Sequence, residues 1–263
     1  MRRWSLKVVI LAGGLGTRMR EETEFRPKPM VEVGGKPVLW HIMKIFATQG
    51  ATDFVILTGY KGEMIKRFFY DYSMLNLDFK VTLGDAASIE YYGAPEEDGW
   101  TVTVVDTGQL SLTGQRILGA QKYLNGEPFF LTYGDGVANV NLAELKKSHA
   151  SSGATLTVTT ARPQSRFGVI AMKNESLVDH FVEKPAGKEL INIGYMMASP
   201  QIFDFLEPDG SLEDGPLARM AQEGVLGAHF HQGFWQPMDT IREAQSLNKL
   251  WDAGDPPWLR VPG

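Results

Sequence analysis

The chain has 263 residues, of which 43% are hydrophobic, and a formal charge of −5 at neutral pH. This length and apolar content suffice for one large hydrophobic core, and the negative charge argues against a protein built to bind nucleic acid. Cysteine is absent, which excludes disulfide bonds, thiolate nucleophiles and cysteine-ligated zinc. No segment has the ~20 apolar residues of a membrane span. We therefore expect a cytoplasmic protein without membrane or nucleic-acid partners.

Short apolar runs alternate with helical patterns over the first 160 residues. Residues 8–11 and 54–57 predict buried strands, and Val38, Ile42 and Phe46 between them share one helical face. A strand, a helix and a strand at this spacing predict a βαβ unit in a parallel sheet. Further strands are predicted over 101–105, 129–132 and 155–160, and further helices over 115–124 and 142–149.

The pattern changes after residue 160. Strands predicted over 168–172, 177–182 and 191–197 follow one another without long helices, which favours a mixed sheet or an antiparallel flap on a parallel core. Helices are predicted over 216–223 and 240–252, and the tail from residue 255 is predicted to be irregular. Because no repeat or linker interrupts the chain, residues 1–263 are interpreted as a single α/β domain.

A glycine-rich segment, residues 11–18 (LAGGLGTR), follows the first predicted strand. Glycines let backbone amides approach a phosphate closely, and Arg18 adds a planar fork of donors. The dinucleotide-binding fingerprint is incomplete, because its third glycine position is Met19 and no acidic residue ends the second strand. No Walker motif occurs either. The segment predicts a phosphate site, with a simple glycine-rich turn as the alternative.

Lys28 lies between two prolines in the segment 26–37 (RPKPMVEVGGKP). Each proline fixes its own φ, and Pro29 disfavours the helical region for the residue before it. We therefore expect Lys28 to be extended on a stiff backbone that can aim its ammonium at a ligand. A surface loop with a solvated lysine is the alternative.

Two aspartates are candidate ligands of a hard cation such as Mg²⁺. Asp135, in a Gly-Asp-Gly triplet, follows the predicted strand 129–132 and would lie where open α/β sheets bind ligands. Asp239 precedes the helix predicted from residue 240. There Asp239 or Thr240 could instead cap the helix, with Glu243 at capping-box spacing.

Polar residues on two later strands are candidates for binding a sugar. Glu183 and Lys184 end a predicted strand, and Asn192 on the next strand needs a hydrogen-bond partner. A surface turn and a satisfied strand asparagine are the alternatives. His229 and His231 have no third ligand nearby, which favours a structural role, and no G-x-S-x-G segment supports a serine hydrolase.

Taken together, these segments resemble the sugar-1-phosphate nucleotidyltransferases from about Lys7 to Trp258. The matching motifs are VILAGGLGTR, RPKPMVEVGGKPVLWHIMK, GYKG, VVDTG with LTGQR, TYGDGV, RFGVI, EKP and GFWQPMDT. The resemblance implies an α/β fold with a Rossmann-like nucleotidyltransferase core, a mixed, mostly parallel sheet and a small antiparallel sugar-binding subregion. It also implies a homo-oligomer, trimeric or hexameric, with the nucleotide site near a subunit contact.

The resemblance also implies a role for each motif. Arg18, Lys28, Asp135 and Asp239 would be the catalytic residues, with both aspartates on Mg²⁺. Glu183, Lys184 and Asn192 would bind the sugar phosphate. The nucleotide would contact Leu11, Ala12, Gly13, Gly14, Leu15, Gly16, Thr17, Arg18, Lys28, Ser111, Arg116 and Gly134.

The most similar branch of this family implies transfer of a cytidylyl group from CTP to α-D-glucose 1-phosphate, giving CDP-glucose and pyrophosphate. The chain departs from the family pattern at Ile193 and Gln115, which replace glycines, and in residues 212–217, which lack a tryptophan and an acid. Since two of these departures lie around the sugar half, another sugar phosphate remains open, as do UTP and dTTP. A non-catalytic nucleotide-sugar sensor and a dinucleotide-dependent oxidoreductase are alternatives from other classes.

Overall fold

The computed structural model describes residues 6–84, 88–163, 168–183, 187 and 189–261. Its strands are β1 (Lys7–Ala12), β2 (Glu32–Val33), β3 (Lys36–Pro37), β4 (Asp53–Thr58), β5 (Asp78–Thr82), β6 (Ser88–Tyr92), β7 (Thr101–Asp106), β8 (Phe129–Tyr133), β9 (Gly136–Ala138), β10 (Leu156–Ala161), β11 (Val169–Met172), β12 (Val178–Val182), β13 (Ile191–Ala198), β14 (Leu226–Phe230) and β15 (Trp235–Pro237). Its α-helices are α1 (Arg20–Thr23), α2 (Val38–Ala47), α3 (Gly62–Tyr70), α4 (Tyr72–Asn76), α5 (Thr113–Ala120), α6 (Leu142–Ser152), α7 (Pro216–Gln222) and α8 (Ile241–Asp252). Short 3₁₀ turns cover Thr17–Met19, Lys28–Met30, Gln121–Tyr123, Pro200–Phe205 and Pro257–Leu259.

A seven-stranded sheet forms the centre of the molecule, in the order β14-β10-β13-β8-β1-β4-β7. The pairs β8–β1, β1–β4, β4–β7 and β10–β14 are parallel. Only β13 runs against its two neighbours in this sheet. The prediction of a mixed, mostly parallel α/β sheet is therefore confirmed, and β11 and β12 form the separate antiparallel hairpin that the sequence also suggested. That residues 1–263 form one domain stays a prediction.

The central strands are buried on both faces, as expected for a covered parallel sheet. In β1, Val8 and Ile10 belong to one apolar cluster and Val9 and Leu11 to the other, following the two-residue alternation of a strand. Helix α2 packs into the first cluster and α5 into the second. The carboxyl ends of β1 and β8 thus lie side by side on a rigid base, and the segments that follow them meet at one edge.

The backbone at Lys28 differs from the prediction. Pro27 is extended, with φ −68° and ψ 149°, but Lys28 begins a 3₁₀ turn. The turn is closed by Met30 N donating to Pro27 O at 2.8 Å and Val31 N donating to Lys28 O at 3.1 Å. Pro29 is tolerated inside it because the second residue of a helical turn needs no hydrogen-bond donor. The expectation of an extended Lys28 was therefore wrong, although the backbone is constrained as expected.

The tail is also more ordered than predicted. Residues 257–259 form a 3₁₀ turn that buries Trp258, which is 1% exposed. Its ring lies 5.7 Å from that of His41 and 6.5 Å from that of Trp251, so aromatic packing anchors the tail to the core. Within the described ranges no helix has the length and apolarity needed to cross a bilayer.

Candidate active site

A cavity of about 620 Å³ opens at the carboxyl edge of β1 and β8. Its walls include all the residues predicted to bind nucleotide, from Leu11 to Arg18 together with Lys28, Ser111, Arg116 and Gly134, and both predicted metal ligands, Asp135 and Asp239. These residues come from five separate stretches of the chain. The fold therefore gathers the nucleotide half of the predicted site into one place.

The glycine-rich segment turns sharply because Gly16 adopts a left-handed conformation, with φ 63°. A Cβ atom at this position would lie 2.5 Å from Thr23 Cγ2, so a larger residue is excluded by both backbone and packing. The 3₁₀ turn Thr17–Met19 follows and buries Met19 completely. Met19, which stands at the third glycine position of a dinucleotide fingerprint, is thus a core residue.

Four charged side chains converge at the mouth of the cavity. Lys28 Nζ donates to Asp135 Oδ2 at 2.7 Å and to Asp239 Oδ1 at 2.5 Å. Arg18 Nη1 donates to the other oxygen of Asp239 at 3.0 Å. The Lys28 side chain is only 11% exposed, whereas that of Arg18 is 76% exposed. The site therefore has a shielded cation between two carboxylates and a second cation facing the open cavity.

The charges in this cluster stabilise one another. Burial by itself would lower the pKa of the Lys28 ammonium, but the charges and hydrogen bonds of Asp135 and Asp239 outweigh it and raise that pKa. Burial would likewise raise the pKa of Asp239, but Lys28 and then Arg18 outweigh it and hold the pKa below its usual value. Both groups are therefore charged at neutral pH.

The two interpretations of Asp239 are separated by the structure. Thr240 is the N-cap of α8, and its hydroxyl accepts a hydrogen bond from Glu243 N at 3.2 Å. The Glu243 carboxylate in turn accepts from Asp239 N at 2.7 Å, close to the reciprocal arrangement of a capping box. Capping thus falls to Thr240, and the side chain of Asp239 is left to face Lys28 and Arg18.

Arg116 lies in the wall of the cavity as a bracing residue. Its guanidinium donates to Gly13 O at 2.9 Å, to Thr58 O at 3.0 Å and to Gly108 O at 2.8 Å. A Cβ atom on Gly13 would lie 2.3 Å from this guanidinium, so a side chain there would displace Arg116 from its hydrogen bonds. Arg116 ties the glycine-rich segment to the ends of β4 and β7, and its contact with nucleotide stays a prediction. Ser111 donates to Thr107 O.

A second cavity of about 250 Å³ lies next to the first and shares Arg18, Tyr133, Asp135 and Asp239 with it. Asn192 lines this cavity, and its Oδ1 accepts from Gly194 N at 2.9 Å. Its placement suits a sugar-phosphate site, while the hydrogen bond also fits the structural alternative.

Glu183 is not brought to this cavity in the described part of the chain. Glu183 follows β12 on an exposed hairpin and does not line either cavity as described. Lys184 lies outside the described residues. Their role in sugar binding therefore stays a prediction.

Sequence reasoning missed three aromatic residues of the site. Tyr133 lines both cavities, and Tyr195 and Trp235 line the smaller one. Two of them are close in sequence to a predicted acid, Tyr133 two residues before Asp135 and Trp235 four before Asp239. For these two, the neighbouring aspartate was the signal that could have identified them.

The two carboxylates fit a divalent cation. Asp135 Oδ2 and Asp239 Oδ1 both accept from Lys28 Nζ, so the two carboxylates lie close enough together to be ligands of one ion. Over the described ranges no group of three or more histidine, aspartate or glutamate residues could hold a metal by itself. Mg²⁺ is commonly held by one or two carboxylates, with substrate phosphates and water completing its coordination.

A glycine-rich loop, two cations and two carboxylates meet at the edge of a mostly parallel sheet, an arrangement typical of proteins that bind nucleotides. The chain belongs to the nucleotidyl transferase family, whose model matches residues 7–225. It is 43% identical over 256 residues to the glucose-1-phosphate cytidylyltransferase of Salmonella typhimurium, covering 96% of this chain and 98% of that protein. It is 42% identical over 259 residues to the probable glucose-1-phosphate cytidylyltransferase of Bacillus subtilis, covering 96% and 99%.

The fold has solved counterparts as well. The crystal structure of HddC from Yersinia pseudotuberculosis superposes with a TM-score of 0.68 at 24% identity, covering 94% of this chain and 99% of that one. The structure of apo UDP-glucose pyrophosphorylase gives a TM-score of 0.65 at 18% identity, covering 95% and 98%. At these identities the likeness concerns the fold.

Proposed function

We propose that this protein transfers a cytidylyl group from CTP to α-D-glucose 1-phosphate, forming CDP-glucose and pyrophosphate. The observation that carries the proposal is the placement of Lys28 between Asp135 and Asp239 beside a phosphate-binding glycine loop. The choice of CTP and glucose 1-phosphate is supported by the names of the relatives that match almost the whole chain.

The reaction needs little chemistry from the protein beyond placement and charge. A phosphate oxygen of the sugar phosphate attacks the α-phosphorus of CTP and forms a new P–O bond. The bond between the α-phosphorus and the bridging oxygen breaks, and pyrophosphate leaves with the electron pair. Because the attacking oxygen is already anionic, no general base is required. The side chains of the site hold the two anionic substrates together and neutralise the charge that develops.

The geometry of the cluster supports a separate task for each cation. Lys28 is shielded and hydrogen-bonded by two carboxylates, and we propose that its ammonium stabilises charge on the transferred phosphate. Arg18 is exposed toward the cavity, and its planar fork suits contact with the terminal phosphates. Arg116 keeps the glycine loop in shape so that its amides face the phosphates.

Asp135 and Asp239 are the proposed ligands of Mg²⁺. The bound ion would supply a Lewis acid that polarises the transferred phosphate and steadies the leaving pyrophosphate. The same two carboxylates also accept hydrogen bonds from Lys28 and Arg18.

We also propose that the protein is a cytoplasmic homo-oligomer, a trimer or a hexamer. The hairpins β5–β6 and β11–β12 are exposed over most of their residues and carry exposed apolar side chains such as Phe79, Ile89, Ile170 and Phe181. Isolated two-stranded hairpins are marginally stable in water, and exposed apolar patches are typical of contact surfaces. Light scattering coupled to gel filtration tests this, and a monomer would contradict it.

The substrate assignment is tested by measuring pyrophosphate release for each of the four ribonucleoside triphosphates and dTTP against a panel of sugar 1-phosphates. We expect the highest kcat/KM for CTP with glucose 1-phosphate, and no turnover without a divalent cation. Preference for another pair would correct the substrates and leave the chemistry standing. CTP binding without turnover on any sugar phosphate would instead favour a nucleotide-sugar sensor.

A further inference from the structure

Tyr133 stands between the two cavities of the site. It is the last residue of β8, pairs with Leu11 of β1 and contributes to the walls of both cavities. The larger cavity contains the glycine loop and the smaller one contains Asn192. A side chain shared by two adjoining cavities can set how their occupants are placed relative to each other.

The ring of Tyr133 rests on the backbone of β13. Gly194 has a φ of 84°, and a Cβ atom there would lie only 2.5 Å from Tyr133 Cδ2. The strand is irregular at this point, since the register between β10 and β13 shifts beside it. Asn192 Oδ1 accepts from Gly194 N at 2.9 Å and holds the irregularity in place. The ring therefore cannot move toward β13 without a collision.

The hydroxyl of Tyr133 is fixed from the opposite side. It donates to Glu213 Oε1, while Thr113 Oγ1 donates to Glu213 Oε2 at 2.5 Å. Thr113 Oγ1 also accepts from Leu212 N at 2.8 Å. Glu213 thus joins the end of β8 to the start of α5, and both Thr113 and Glu213 lie in the wall of the larger cavity.

The segment that carries Glu213 is itself held firmly against α5. A Cβ atom on Gly114 would lie 2.7 Å from Gly210 O, and Gln115 N donates to that same oxygen at 3.1 Å. The carboxylate therefore has a fixed base from which to hold the phenol. Packing on one edge and a hydrogen-bond chain on the other give the ring a single orientation.

We propose that Tyr133 is a positioning residue for the sugar phosphate, a partition between the sugar and nucleotide pockets whose orientation is set by Glu213. This rests on the proposed function. The attacking phosphate must reach the α-phosphorus near Lys28 and Asp135, so the wall that limits where the sugar lies also limits the attack distance. A displacement of about 1 Å at a reacting centre can cost ~10²-fold in rate.

The test uses Tyr133→Leu, Tyr133→Phe, Glu213→Gln and the double variant that combines the last two. Tyr123→Phe, the same chemical change outside both cavities, is the control. For Tyr133→Leu we expect a loss of about 10- to 100-fold in kcat/KM for the sugar phosphate. The Kd for CTP, measured without sugar phosphate, should stay within about threefold of wild type, because Thr113 and Glu213 keep their bond.

The milder variants probe the hydrogen bond. Tyr133→Phe keeps the ring on Gly194 and loses the hydroxyl, so we expect a smaller loss of kcat/KM for the sugar phosphate, about 3- to 10-fold. We expect a loss of the same size for Glu213→Gln. The double variant should be no worse than either single one, because both changes weaken the same bond. If the role of Tyr133 were purely structural, the variants would lower the melting temperature, and kcat/KM for the sugar phosphate and affinity for CTP would be affected alike.

An unchanged kcat/KM in a stable Tyr133→Leu protein overturns the inference, and so does a loss confined to CTP binding. Should Tyr133→Leu fail to fold, additive losses for Tyr133→Phe and Glu213→Gln overturn it. All variants are assayed with the pair of substrates that wild type uses best. An error in the proposed sugar phosphate then appears in the wild-type measurements and leaves the ratio of variant to wild-type kcat/KM unaffected. If wild type turns over no pair, the proposed function fails. Equal glucose 1-phosphate affinities of wild type and Tyr133→Leu would then overturn the inference.

Discussion

Replacing Lys28 by methionine removes the ammonium between the two carboxylates and keeps most of the side-chain length. Nζ contacts Asp135 at 2.7 Å and Asp239 at 2.5 Å, and the side chain is 11% exposed, so water screens its charge poorly. Removal of one preorganised donor from such a site costs ~10²–10³ in kcat, and we expect a loss in this range. Asp135 is 41% exposed, so water offsets part of the lost pairing and the free energy of unfolding should fall by only about 1 kcal/mol.

The matched control is Lys7→Met. Lys7 also pairs with an aspartate, Asp53, at 3.5 Å, but at the amino end of β1, the edge away from the cavity. Steady-state pyrophosphate release gives kcat and both KM values, and denaturant titration gives the free energy of unfolding. The reasoning is refuted if Lys28→Met retains kcat within about threefold of wild type, or if Lys7→Met loses as much.

Three further predictions concern residues around this cluster. Asp239→Asn should lower kcat by ~10² and raise the metal concentration needed for half-maximal rate. Thr240→Ala should instead lower the free energy of unfolding by about 1 kcal/mol and keep most of the turnover. Equal metal titrations of Asp239→Asn and wild type would contradict this prediction. Arg116→Lys leaves several backbone acceptors unpaired and should lower the free energy of unfolding by about 3 kcal/mol, and a denaturation curve matching wild type would argue against the bracing role. Burial lowers the pKa of His41 to about 4, below its unfolded value of about 6.5. The contribution of His41 to the free energy of unfolding should therefore be present well above pH 6.5 and fall by about 3 kcal/mol as the pH drops to 4, because the unfolded chain binds the proton more readily than the folded one. Denaturant titrations across this range should show a weaker pH dependence for His41→Gln, and an unchanged slope would exclude His41 as its source.

The sequence was sufficient for those parts of the site that depend on strand ends. Asp135 follows an apolar run, and parallel strands bring their carboxyl ends to one edge, so its proximity to the glycine loop could be predicted. Asp239 was ambiguous because a carboxylate before a helix is also a good cap. Only the hydrogen bond that Glu243 N donates to Thr240 Oγ1 identified Thr240 as the cap.

Other features depend on contacts between distant segments that no local pattern encodes. The contact of Arg116 with nucleotide stays a prediction, and its hydrogen bonds to the backbone oxygens of Gly13, Thr58 and Gly108 could not be foreseen from the sequence. The 3₁₀ turn at Lys28 was not predicted because a proline disfavours the helical region for the residue before it. A single turn is nevertheless possible, because it needs no hydrogen-bond donor from Pro29. Tyr133 was missed because its two supports, Gly194 and Glu213, are 61 and 80 residues further along the chain.

The central claim is that the sugar phosphate attacks the α-phosphorus of the nucleotide. Incubation with glucose 1-phosphate and CTP labelled with ³²P at either the α- or the γ-position, followed by separation of the products, tests it most directly. The account predicts that the α-label appears in the sugar nucleotide and the γ-label in pyrophosphate. Transfer of the γ-label to the sugar, or its release as inorganic phosphate, would contradict the account.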